Sequence, residues 1–173
     1  MVIKTERFGE LDIGDEALIH FPAGILGFED DRRFLLVAES GNSGVSFLQA
    51  GDNPDLAFVV ADPVSIRPDY RPEVGREDRR ILEWDGVSPL QVLTILTVPE
   101  DVRRMTANLM APILINVGRR IGHQVVQTNG AYSTRHTVAA ELERAQRLVT
   151  PAVNGVPVTR LDEGAAVTLR KTV

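Results

Sequence analysis

The sequence predicts an all-β protein: a small antiparallel β-barrel-like domain with a C-terminal helical extension. Three observations predict it. Short apolar runs rich in β-branched and aromatic residues recur to about residue 130, and turn formers separate them every eight to twelve residues or so. Prolines stand at run ends, at Pro63 and Pro99, where a missing N–H does least harm to a ladder. Only one segment, beginning near Thr137, has a clear helical stripe.

Taken in order, Ile3 to Phe8 and Ala17 to Phe21 read as strands, with Gly9–Gly14 as a turn or a further short strand. Phe34–Ala38 and Val45–Gln49 flank Gly41–Gly44 and read as a hairpin. Leu56–Ala61 is a strand stopped at Asp62-Pro63, and Leu90–Val98 one that ends at Pro99. Ile113–Val117 and Gln124–Thr128 bracket Gly118–Gly122 as another hairpin. Seven or eight such strands suit a closed or nearly closed barrel, or a sandwich. Ile66–Pro72 holds two prolines that forbid a central strand, and Glu77–Glu83 reads as a short helix or an exposed connector. In the extension, Val138, Leu142, Ala145 and Val149 share a helical face, Thr137 suits an N-cap, and Pro151 ends the helix. The expected units are therefore residues 1–137 and 138–173, with a helix over about 138–149 and then a strand at Val167–Val173 or a mobile tail.

Composition narrows the function. The chain has 173 residues, 43% of them hydrophobic, enough for a real core. Cysteine is absent, which excludes disulfides, thiolate metal sites and cysteine nucleophiles and suits a reducing cytoplasm. The start lacks a signal-peptide run, and no window approaches a membrane span, so a cytoplasmic protein without a membrane partner is expected. The formal net charge of −5 disfavours nonspecific nucleic-acid binding and suits a basic partner, although mild acidity is also ordinary for soluble proteins.

Catalytic chemistry is sparse. His20, His123 and His136 lie far apart without a ligand at metal spacing, so structural or surface roles are expected and no metal. Ser133 lacks a nucleophile turn, and Gly24–Gly27 lacks the lysine of a phosphate loop. Arg103-Arg104 and Arg119-Arg120 read as solvated turns or strand edges. Asp52-Asn53-Pro54-Asp55 is either an Asx turn or a protein-contact loop. Phe21 and Phe28 read as core aromatics or exposed anchors, with core the default. Neither catalytic residues nor a cofactor are expected.

Five blocks remain: Ile19–Glu29, Asn53–Pro63, Thr97–Glu100, Met105–Asn116 and Tyr132–His136. Their content and order resemble the family of the flagellar assembly factor FliW, over roughly residues 1 to 137. The resemblance implies a small β-barrel-like domain that is not an enzyme. It implies two protein partners. One is a CsrA-like RNA-binding regulator, whose repression of flagellin translation the protein relieves from a surface away from the RNA-binding face. The other is newly made flagellin, held in a chaperone-like way, so that flagellin and the regulator exchange on one protein. Beside that resemblance, the candidate partner contacts are Phe28, Glu29, Asp52, Asn53 and Asp55. A proline often follows the last block in the family, whereas Thr137 stands here and opens the way to a helix. The rival reading is a small β-barrel cofactor carrier or enzyme of flavin type, with Arg103, Arg104, Thr106 or Arg119-Arg120 on a phosphate.

Overall fold

The structure is a computed structural model that describes residues 1–38 and 44–147 and the backbone of 166–168. Its strands are β1 (Val2–Thr5), β2 (Gly9–Asp12), β3 (Leu18–His20), β4 (Arg33–Ala38), β5 (Val45–Ala50), β6 (Ala57–Ala61), β7 (Leu90–Thr97), β8 (Thr106–Ala107), β9 (Ile113–Asn116), β10 (Ile121–Gln124), β11 (His136–Thr137) and β12 (Ala166–Thr168). The helices are α1 (Pro63–Ile66), α2 (Arg76–Ile81) and α3 (Val138–Arg147).

Seven strands close a barrel in the order β3-β4-β5-β6-β7-β9-β10, and a parallel pairing of Ile121 with His20 joins the last to the first. The other pairings round the barrel are antiparallel. Period-two alternation places Ile19, Phe34, Leu36, Leu48, Val60, Leu93, Ile113 and Ile115 in the lumen, in one cluster.

The outer wall is covered too, in three patches. The β1–β2 hairpin lays Ile3 and Leu11 on Leu35, Val37 and Phe47. The region of α2 brings Leu82 and Trp84 to Leu114 and Val125. α1, α3 and the segment before α3 form the third patch around Tyr70 and Leu109. This double cover explains why Phe34-Leu35-Leu36-Val37 is apolar without a break: both faces of β4 are buried.

The Met105–Asn116 block is one interrupted strand along β7. β8 pairs with Leu96 and Thr97, and β9 with Leu90 to Leu93. Between them the chain loops out at Asn108–Pro112, where Asn108 Oδ1 accepts the Ala111 N–H at 3.0 Å. The loop is gripped by its neighbours: Tyr70 O–H donates to the Leu109 carbonyl at 2.8 Å, and Gln124 Nε2 to that of Ala111 at 3.1 Å. At its far end, Asn116 Nδ2 donates to the Leu82 carbonyl at 3.0 Å. Asn108 thus serves the turn and Asn116 the packing of β9.

Two open alternatives resolve: Gly9–Gly14 holds a strand, β2, and Glu77–Glu83 is mostly the helix α2, while other expectations shift. The strand expected at Gln124–Thr128 lies earlier, at Ile121–Gln124. Gly122 is inside it because a Cβ there would stand 2.3 Å from Phe21 Cζ; the glycine is room for the ring, and the turn is 117–120. In α3 the expected stripe holds at Val138, which is buried, and fails at Leu142, which is 42% exposed while Glu141 is buried instead. Val149, Pro151 and most of the Gly41–Gly44 hairpin loop lie outside the described residues. Of the strand expected at Val167–Val173, β12 covers Ala166–Thr168, parallel to β4 at Leu36–Ala38; residues 169–173 are outside the described set.

Candidate functional site

One end of the barrel gathers all five residues singled out from the sequence. β3 and β5 run toward this end and β4 and β6 away from it, so the connections 21–32 and 51–56 lie side by side there. The first folds over the mouth. Phe21 and Ile25 are fully buried in the lumen cluster, and Phe28 lies across the opening. Its ring meets Phe58 edge-on at 5.2 Å, and Phe58 in turn packs against Phe34. The fold-back needs two glycines. Gly24 has φ +67° and a Cβ there would stand 2.6 Å from the Glu29 Cα; Gly27 has φ +84°. Phe21 is therefore core as expected, but Phe28 departs from the core default: it stays 41% exposed, because the lumen is already full beneath it.

Glu29 is exposed and Oε1 accepts the Gly27 N–H at 2.9 Å, which holds its carboxyl below the usual range. Asp52 forms a two-bond fork with the Arg33 guanidinium, and this pairing keeps the Asp52 carboxyl ionised to lower pH than usual. Arg33 also starts the strand that leaves the mouth loop, so the fork ties the two connections together. Asn53 contributes its backbone: the carbonyl accepts the Leu56 N–H at 3.2 Å and Gln49 Nε2 at 3.1 Å. Asp55 is exposed at the tip.

Gln49 is fully buried and gives the 51–56 loop its shape. Its Nε2 lies within hydrogen-bond distance of the carbonyls of Ala50, Asn53, Pro54 and Leu56, between 3.0 and 3.3 Å. Sequence reading missed it because a glutamine at the end of an apolar strand looks like a solvent-facing residue. The reading also missed Leu26, which is 59% exposed beside Phe28 and whose N–H donates to Gln124 Oε1 at 3.0 Å. The available signal was Leu26's place between two glycines that need positive φ. The mouth is thus an apolar pair, Leu26 and Phe28, bordered by Glu29, Asp30, Asp52 and Asp55.

No such convergence occurs among the groups a phosphate cofactor would need. Arg103 and Arg104 follow the end of β7, while Arg119 and Arg120 turn beside its start, at the other end of the barrel. Arg103 is paired with Asp101 at 2.9 Å, and Arg119 lies 3.7 Å from Glu83. Ser133 and His136 do meet, but through the backbone: the Ser133 N–H donates to His136 Nε2 at 2.9 Å. Two histidines have acidic partners that the sequence did not reveal, His123 with Asp78 at 3.1 Å and His136 with Glu141 at 2.8 Å. Among the described residues no three potential metal ligands cluster, and no helix is long and apolar enough to cross a membrane.

The class is that of a small closed β-barrel whose mouth carries an exposed apolar pair, Leu26 and Phe28. The comparisons with known proteins give the family. The FliW protein family model matches residues 2–138. A flagellar assembly factor FliW from Alkaliphilus metalliredigens is 37% identical over 160 residues, 90% of this chain and 98% of the relative. One from Syntrophomonas wolfei is 41% identical over 138 residues, 80% of this chain and 88% of the relative. A crystal structure of the flagellar assembly factor FliW superposes with a TM-score of 0.75 at 33% identity, covering 80% of this chain and 96% of that one. The chain belongs to the FliW family of flagellar assembly factors.

Proposed function

We propose that this protein works by binding other proteins in the cytoplasm. It captures a CsrA-like translational regulator and so relieves repression of flagellin translation, and it holds newly made flagellin in exchange. Membership of the FliW family over residues 2–138 is the observation that carries this reading. The barrel mouth supports it in chemistry. Leu26 and Phe28 offer a compact apolar contact, and large side chains presented on a rigid scaffold are the usual anchors of interfaces. The carboxylates of Glu29, Asp52 and Asp55 suit a basic partner and raise the cost of an RNA phosphate chain approaching the same complex.

Two measurements test the reading. A pulldown with the wild-type chain is expected to retain a CsrA-like regulator and flagellin; retention of neither overturns it. Charge reversal of Asp52 and Asp55 together is expected to weaken capture at least tenfold while leaving the melting transition close to wild type. Capture that is equally strong in low and high salt would remove the electrostatic part of the reading and leave the apolar pair.

A further inference from the structure

α3 has ten residues, a length at which a helix is marginal in water unless it docks. It docks by little apolar surface. Val138 is buried against Ile66, Ala107 and Leu109, and the other buried side chain is a carboxylate, Glu141. Glu141 Oε1 accepts the His136 Nδ1–H at 2.8 Å and lies 3.5 Å from Arg67 Nη1. Farther out, Arg144 makes two bonds to Asp69, at 2.9 and 2.7 Å.

The receiving surface is built without α3. The Arg67 guanidinium lies over the Tyr132 ring, 5.1 Å from its centre, and its Nε is 3.4 Å from Asp69. The Tyr132 hydroxyl oxygen accepts the Arg71 N–H at 3.0 Å, and the ring packs on Tyr70 at 4.6 Å. The Ser133 N–H on Nε2 fixes the His136 tautomer, so Nδ1 presents its proton to whatever sits above. β11 pairs with β8, which holds the backbone of His136 to the barrel. Every one of these residues falls within the family match, which ends at Val138, the first residue of the helix.

We infer that this surface is a helix-binding seat which the chain fills with its own segment, and that a partner helix of matching chemistry binds there in place of α3. The seat specifies that partner: an aliphatic residue, a glutamate three positions later and an arginine three beyond it, as in Val138, Glu141 and Arg144. Arg67 and His136 receive the carboxylate, Asp69 receives the arginine, and the Ile66–Leu109 surface receives the aliphatic group. The attached segment has the advantage of effective concentration, so a free helix competes only when α3 is weakened or the partner is abundant. This inference stands apart from the mouth reading, since it uses a different surface.

The test uses the full chain and a fluorescent peptide with the sequence of Val138–Arg147. Glu141→Lys and Arg144→Glu weaken the attached helix and leave the seat intact. Each variant is expected to bind the peptide at least tenfold more tightly than wild type does. Adding Arg67→Ala to either is expected to abolish that gain, as is a peptide with glutamine in place of the glutamate. Peptide binding by folded variants that is no tighter than wild type overturns the inference. So does amide exchange in which α3 opens only with the barrel, or unfolding of both variants, because α3 is then an inseparable part of the fold.

Discussion

At the barrel mouth, loop 21–32 drives Phe21 and Ile25 into the lumen and leaves Phe28 across the opening. At the flank, α3 brings one aliphatic side chain and a carboxylate to its seat. Both closures cover part of the barrel with a local segment. The first is held by buried apolar area, which is insensitive to salt and costly to remove. The second is held by charged pairs, which lose strength as solvent and salt reach them. The mouth is accordingly expected to open only with the barrel, and α3 to open by itself.

Substitutions can break or sharpen this contrast. Phe21→Ala has the largest expected effect: removing a fully buried ring costs about 3–5 kcal/mol and lowers the melting temperature by roughly 10 °C. Glu141→Ala leaves His136 Nδ1 without its acceptor and the half-buried Arg67 with Asp69 alone, and α3 can lift away. Its cost is expected near 1–2 kcal/mol, read as faster amide exchange in residues 138–147 with unchanged protection of β4 and β5. Equal loss of protection in α3 and the barrel would erase the contrast. Phe28→Ala is expected to cost about 1 kcal/mol, because the ring is partly exposed, but to reduce partner capture well beyond that loss.

The smallest effect is one of pH. Arg144 holds the Asp69 carboxyl down, to about 2 from an ordinary 3.8. A depressed carboxylate pKa contributes stability that is present above the unfolded value and lost as pH falls through the folded one. The window is therefore between about pH 4 and pH 2. Asp69 is half exposed, so the loss is expected to stay within about 1 kcal/mol, seen as α3 amides exchanging faster across that window. Arg144→Ala is expected to flatten that dependence.

Much of the mouth was legible in the sequence. Two glycines three apart inside an apolar motif announce a tight fold-back, and an Asp-Asn-Pro-Asp run announces a polar tip. Strand alternation then placed both connections on one barrel. The division of labour between Phe21 and Phe28 was not legible, since both are large aromatics near glycines; the filled lumen decides it. α3 was legible as a helix with Val138 on its buried face, and misread at Leu142. Its pattern offered Leu142 for burial, but the surface it meets is lined by Arg67 and His136, so the residue that fits is Glu141.

The sequence by itself determined most of the barrel's strands, the absence of cysteine chemistry and the family, because alternation, composition and motif order are local properties of the chain. Only the tertiary structure decided which polar groups are buried. Gln49 is enclosed because the 51–56 loop turns back its carbonyls to accept from Nε2, and Glu141 because the fold brings Arg67 to the carboxylate beside His136. A buried polar group is tolerated where its partners are, and no one-dimensional pattern records where that is.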